Sequence, residues 1–227
     1  MDFFETLYTR RSMRYFKKDV KIPDWKIDRI LDAARWAPSG ENEQYWRFIV
    51  IRNQEMKSIL ADNAEESGAM VMGMDPWEIV QARQWFMPER ARVAPFEGFV
   101  KLQRYPEDAD VVIIPVAAML DVDYPGGLGF ANWHVILGTG MAIQNMWLAA
   151  TALGVGAAFA ATATADPRRT EKICDYLGIP RWAKPITAFC LGEPAFKRIP
   201  SPSRFPLSGL VFDEVWGNPY KRSEFRK

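Results

Sequence analysis

Arg10-Arg11-Ser12-Met13-Arg14-Tyr15-Phe16 and Ala37-Pro38-Ser39-Gly40-Glu41-Asn42-Glu43-Gln44-Tyr45-Trp46-Arg47-Phe48 are the two stretches on which the reading of this chain turns. The first places three guanidinium groups and a hydroxyl within five positions, the donor set a phosphate needs for charge-assisted, partly bidentate hydrogen bonds. The second joins a stiff proline and two small residues to two amides. Its backbone can approach a flat polar ring edge, while Asn42 and Gln44 supply donors and acceptors. Each stretch alone has an ordinary explanation: arginines near a chain end are commonly solvated surface, and Pro-Ser-Gly is a common turn after a helix. Together, with a helix between them, they read as one cofactor site for a phosphate-bearing ligand.

Composition narrows the alternatives. The 227 residues suffice for one substantial core, and no linker or low-complexity tract divides them, so residues 1–227 read as a single domain. Twenty-nine basic against 28 acidic residues leave a net charge of +1, without a basic stripe that would suit nucleic acid. Cys174 and Cys190 are too few for a disulfide framework and are not spaced as a metal-binding pair. His134 is the only histidine, which excludes a histidine-built metal site and argues against a Ser-His-Asp triad; no metal is expected. Ser39 lacks the Gly-x-Ser-x-Gly setting of a nucleophile elbow. Gly138-Thr139-Gly140 and Gly154-Val155-Gly156 each begin a Gly-x-Gly but are followed by Ile143 and Phe159 where a dinucleotide fingerprint needs a small residue.

The start, Met1-Asp2-Phe3-Phe4-Glu5, has no basic segment followed by an apolar core, so a cytoplasmic protein is expected. From Val135 to Ala165, 31 residues lack a charged side chain, long enough to raise a membrane-spanning helix. Gln144, Asn145 and four glycines interrupt the stretch, which reads instead as a buried helix followed by a buried strand, with no membrane span. A helix apolar all round belongs in the middle of a protein or at a subunit interface.

Periodicity supplies the elements. Phe3 to Thr9 forms a short helix that delivers the arginines. Ile27, Ile30, Leu31 and Ala34 repeat at helical spacing behind Pro23, and this helix ends at Pro38. Phe48–Ile51 is a short strand, and Met56, Ile59 and Leu60 begin another helix. Val111 to Met119 is a buried strand in which Pro115, unable to donate to a ladder, implies an edge position or a bulge. Val135 to Leu153 is the long helix, Ala157 to Ala163 a strand, Arg168 to Tyr176 a surface helix and Ile186 to Leu191 the final core strand. Alternating helices and strands give a sheet covered by helices, in the α/β or α+β class.

The two opening stretches resemble the nitroreductase family of FMN-dependent oxidoreductases, whose members carry an Arg-Arg-Ser-x-Arg-like start and a Pro-Ser-x-x-Asn-x-Gln-x-Trp-x-Phe stretch. Pro38, Ser39, Asn42, Gln44, Trp46 and Phe48 fit that pattern, while Tyr45 stands where proline is usual. The resemblance runs on through Gly140–Ala150 and Leu153-Gly154-Val155-Gly156, similar to the family's central helix and its exit. Leu191-Gly192-Glu193-Pro194 is similar to the end of its last core strand, and Arg204-Phe205-Pro206-Leu207 with Val211 and Trp216 to its tail. The implied fold is α+β, a mainly antiparallel sheet with one parallel C-terminal strand, flanked by helices. It implies an obligate homodimer that exchanges C-terminal arms, here about 196–227, with two FMN sites at the interface.

Carried over by resemblance, Arg10, Arg11, Ser12 and Arg14 would contact FMN, and Arg204 would reach its phosphate from the tail. Pro38, Ser39, Gly40 and Asn42 would border the flavin ring from the other subunit. Ala161 and Thr162 fall where relatives place a hydrogen-bond donor near flavin N5, although many of those relatives carry Glu-Gly there. The segment 70–105, with Met72, Met74, Trp77, Trp85, Phe86, Met87, Phe96, Phe99 and Tyr105, corresponds to a lid over a planar or aromatic substrate; plain packing onto the body is its alternative. The implied activity is ping-pong reduction of nitroaromatic or quinone acceptors by NADH or NADPH, with the chemistry carried by the flavin. A reductive dehalogenase resembling iodotyrosine deiodinase and a non-catalytic flavin-binding protein are the alternatives. A flavin-fragmenting benzimidazole synthase fits less well, since its characteristic residues are not found.

Overall fold

Helix α1 (Phe3–Thr9) begins behind Asp2, whose carboxylate accepts the Glu5 N–H. Helix α2 (Asp24–Arg35) buries Ile27, Ile30 and Ala34 and stops just ahead of Ala37-Pro38, where proline disfavours helical backbone in the residue before it. Strand β1 (Trp46–Ile51), helix α3 (Gln54–Gly73), the single turn α4 (Tyr105–Asp108) and strand β2 (Val111–Ala118) come next. Helix α5 (Phe130–Ala152), strand β3 (Gly156–Ala160), helix α6 (Pro167–Leu177) and strands β4 (Ala183–Pro185) and β5 (Ala188–Gly192) complete the body. The structure is a computed structural model that describes residues 2–73, 102–118, 130–197 and 203–220.

The sheet runs β1-β2-β5-β3, with β4 pairing β2 in line with β5. Every strand pairing among the described residues is antiparallel, and the parallel C-terminal strand has no counterpart there. Alternate residues of β2 feed opposite faces: Val112, Ile114 and Val116 meet Met56 and Leu60 of α3, and Val111 and Ile113 meet Ile30 of α2 and Met146 of α5. Helices therefore cover both faces, which is why β2 reads as an unbroken apolar run. Each fully buried Val or Ile in it contributes roughly 1.5–3 kcal/mol.

Pro115 is not on an edge. Strand β2 has β1 on one side and β4 with β5 on the other, and Ile186, Thr187 and Ala188 stand opposite only Ile114 and Pro115. The extra residue is a β-bulge, and the Pro115 carbonyl accepts the Ile186 N–H there at 2.9 Å, so the missing donor falls at a break in the ladder. The same bulge takes Ile186 and Thr187 out of the expected Ile186–Leu191 strand, which begins instead at Ala188 as β5, and β4 is a separate short strand ahead of it. Strand β3 likewise stops at Ala160, opposite the first residue of β5, and Ala161–Thr164 turn into a short 3-10 helix instead of continuing as strand.

Helix α5 is half buried rather than buried all round. Val135, Thr139, Ala142, Met146 and Ala150 face the core, while Trp133, Ile136, Leu137 and Met141 are exposed. By length and composition Trp133–Ala152 could cross a membrane, but its inner face is packed on α2 and the sheet. Of the expected lid aromatics, Met74 to Phe99 lie outside the described residues. Tyr105 is core, 4% exposed, rather than lid surface. In the tail, residues 203–220 form a 3-10 turn at Leu207–Gly209 and a bridge between Phe212 and Pro219, and Trp216 is 90% exposed.

Candidate functional site

The arginine segment is fastened to the sheet end by end. Met13 N–H donates to Ala157 O at 2.9 Å, Lys17 N–H to Glu193 O at 2.9 Å, and Ala195 N–H to Tyr15 O at 3.0 Å. Met13 and Phe16 are buried over Gly156 and Gly192, which pair with each other across β3 and β5. A Cβ on Gly156 would lie 2.8 Å from Met13 Cγ, and one on Gly192 2.5 Å from Phe16 Cδ1, so both positions must be glycine for the segment to lie this close. With Met13 directed into the core, alternation along the extended chain turns Ser12 and Arg14 the other way.

The charged groups then converge. The Arg10 guanidinium lies 4.4 Å from the centre of the Trp147 ring. Burial, then the positive charges of Arg204 and Arg11, hold its pKa below the ordinary arginine value. No carboxylate among the described residues pairs with Arg10, Arg11 or Arg14. Arg10 thus stands among positive charges without a described carboxylate partner, a setting that an anion neutralises. Arg11 is used differently from Arg10: its Nη1 donates to Tyr8 O and Arg10 O, both at 2.7 Å, closing the end of α1, while its Nε is buried without a partner.

Arg14 sits 5.9 Å from the centre of the Tyr105 ring, and the Tyr105 hydroxyl donates to Phe159 O at 2.6 Å. Burial raises the Tyr105 pKa well above its ordinary value, so the phenol stays a neutral donor. Just beyond Phe159, Thr162 donates its hydroxyl to Gln103 Oε1 at 3.4 Å. Arg14 and the Ala161-Thr162 turn are therefore joined through Tyr105 and the exit of β3. Sequence reasoning missed Gln103 and the roles of Trp147 and Tyr105; Trp147 belongs to the quoted central-helix stretch, but nothing in that stretch marks it as a platform for Arg10.

The Pro38–Asn42 loop lies elsewhere on the same helix. Gly138 of α5 faces it: a Cβ there would lie 3.5 Å from Pro38 O and 3.8 Å from Ser39 Cβ. Gly40 is near His134. Trp147 is nine residues beyond Gly138, about 13 Å along the axis. One chain therefore does not bring the loop and the arginines together. Within the loop the Gln44 N–H donates to Ser39 Oγ at 3.0 Å, and Gln44 Nε2 reaches Asn42 O at 3.3 Å and Oδ1 at 3.5 Å. Glu41, Asn42 and Gln44 have φ of 51°, 59° and 51°, left-handed backbone that costs non-glycine residues energy and recurs at ligand-binding turns.

The pattern of the nitroreductase family matches residues 7–193. A protein of Methanothermobacter thermautotrophicus, provisionally named NADH dehydrogenase/NAD(P)H nitroreductase, is 32% identical over 195 residues, 86% of this chain and 78% of that protein. An iodotyrosine deiodinase of Hydra vulgaris is 37% identical over a shorter 65 residues, 29% of this chain and 24% of its own. A provisionally named nitroreductase of Desulfovibrio desulfuricans, solved in complex with FMN, shares the fold with a TM-score of 0.62 over 94% of this chain and 96% of that one, at 24% identity. The chain belongs to the nitroreductase family.

Proposed function

We propose that this protein is an FMN-dependent NAD(P)H oxidoreductase acting on planar acceptors such as nitroaromatics or quinones. The observation that carries the reading is Arg10, stacked on Trp147 beside the positive charges of Arg204 and Arg11 and with no carboxylate among its described partners. The donor set fits FMN: Arg10 and Arg204 would hold the phosphate, Ser12 its polar chain, and Arg14, steadied by Tyr105, the pyrimidine edge. Bound FMN would supply the redox chemistry, taking two electrons and a proton as hydride from NAD(P)H and, once the nicotinamide has left, passing them with a solvent proton to the acceptor. Arg14 would favour negative charge at the ring edge it touches. No acid or base from the chain is required.

The site is shared between two copies in this reading. Trp133, Ile136, Leu137, Gly140 and Met141 form one exposed stripe on α5, and the space beside Gly140 is open. A two-fold axis across the helix near Gly140 would pair two stripes antiparallel. The Gly138 end of one helix would then lie beside the Trp147 end of the other, bringing Pro38, Ser39, Gly40 and Asn42 of one copy to the arginines of its partner. The tail would add its exposed apolar side chains to this homodimer.

Purified protein is expected to be yellow with about one FMN per subunit, to bleach anaerobically with NADH or NADPH, and to recolour with a quinone. Protein that neither carries nor takes up FMN overturns the reading. The short match to a deiodinase favours one second reading, reductive dehalogenation; halide release from a halogenated tyrosine by the reduced protein would establish it.

A further inference from the structure

The chain entering α4 grips the exit of β3 at two points. Tyr105 donates to Phe159 O, and two residues earlier Gln103, 7% exposed, accepts the Thr162 hydroxyl proton at 3.4 Å. The Gln103 stem is held in place by α3, where a Cβ on Gly68 would lie 3.1 Å from Gln103 Cγ. A threonine hydroxyl has one proton to donate and two lone pairs to offer. With its proton on Gln103 Oε1, the Thr162 oxygen presents only lone pairs on its other side.

We propose that Gln103 is a positioning residue that makes the Thr162 hydroxyl a pure acceptor toward the bound ring, so that the site favours flavin with a proton on N5 over flavin without one. The inference rests on the FMN reading above, with Thr162 beside flavin N5 as the family resemblance implies, and adds a redox consequence to it. Oxidised N5 has only a lone pair, and meeting an oxygen lone pair there is unfavourable. Reduced N5 bears a proton that the oxygen can accept. Gln103 would thereby weaken binding of the oxidised ring relative to the reduced one, and raise the midpoint potential of the bound cofactor. Gln103 need not touch the flavin to do this.

The test is a pair of FMN dissociation constants, for oxidised and for reduced cofactor, together with the midpoint potential from anaerobic titration. In Gln103→Met the Thr162 proton is released and can turn to bare N5. The ratio of oxidised to reduced dissociation constants is expected to fall about tenfold, the size of one net hydrogen bond, lowering the two-electron midpoint by about 30 mV. In a Thr162→Val background, Gln103→Met should shift neither quantity. Equal shifts with and without the hydroxyl, or no shift in Gln103→Met, overturn the proposal while leaving the FMN reading intact. If Gln103→Met does not fold, Thr162→Val alone must lower the midpoint, and an unchanged value overturns the proposal. Wild-type protein that binds no FMN overturns both.

Discussion

Replacing Arg10 by alanine separates binding from folding, because its interactions in the cofactor-free chain oppose one another. The cation over Trp147 is worth about 0.5–1 kcal/mol at a partly exposed site. Its proximity to Arg204 and Arg11 acts in the opposite sense. The net change in stability without FMN is therefore expected below about 1 kcal/mol, or roughly 2–4 °C in Tm for a chain of this size. With FMN the balance differs, since a bound phosphate loses one charge-assisted partner worth about 1.5–3 kcal/mol, roughly a tenfold to 150-fold loss of affinity. At an FMN concentration of about 100 Kd the wild type gains about 2.7 kcal/mol from ligand, whereas a variant bound 100-fold more weakly gains only about 0.4 kcal/mol. Thermal unfolding with and without FMN reads this directly, and flavin fluorescence titration gives Kd independently. Arg11→Ala should behave in reverse: loss of the Nη1 bonds to Tyr8 O and Arg10 O lowers Tm without FMN, while most of the FMN-induced gain remains. Arg10→Ala with Kd within twofold of wild type, or Arg11→Ala losing FMN as severely, would refute the assignment.

Gly192→Ala drives a methyl group into Phe16 and should cost about 1–3 kcal/mol by overpacking, measured by denaturant unfolding, with weaker FMN binding because the displaced segment carries Arg10, Ser12 and Arg14. A variant as stable as wild type would show that the segment is not seated on the sheet at this point. Leu137→Glu with Met141→Glu places like charges on the exposed stripe of α5 and should give a folded monomer in sedimentation with little bound FMN; a dimer that keeps its flavin would rule out the two-fold arrangement.

The parts of the fold legible in the sequence are those where one local pattern governs the outcome. The Ile27, Ile30 and Ala34 spacing gave α2, and the apolar run from Val111 gave a strand covered on both faces. What escaped was set by partners distant in the chain. The bulge opposite Pro115 is visible only once β4 and β5 are aligned on β2, and the end of β3 is decided by where β5 begins. The two glycines under the arginine segment were part of quoted motifs, Gly154-Val155-Gly156 and Leu191-Gly192-Glu193-Pro194. Their reason, close passage of Met13 and Phe16, needed the third dimension.

The candidate site divides along the same line. A donor set for phosphate can be read from Arg10 to Arg14 because charge and spacing lie in one short stretch, and Arg204 joins it through the tail. Gln103 could not be read, since a lone glutamine near a turn has many uses and only its contact with Thr162 selects one. The Pro38–Asn42 loop is the instructive case. Its residue types suit a ring edge, yet its own chain places it at the Gly138 end of α5, away from Arg10, and among the described residues no arginine cluster faces it there. A strained loop and a cation cluster at opposite ends of one half-exposed apolar helix are each incomplete alone. Antiparallel pairing of that helix with a second copy, as proposed above, would complete both at once, and would make the exposed stripe, the strained loop and the positive charge around Arg10 three consequences of one arrangement rather than three separate costs.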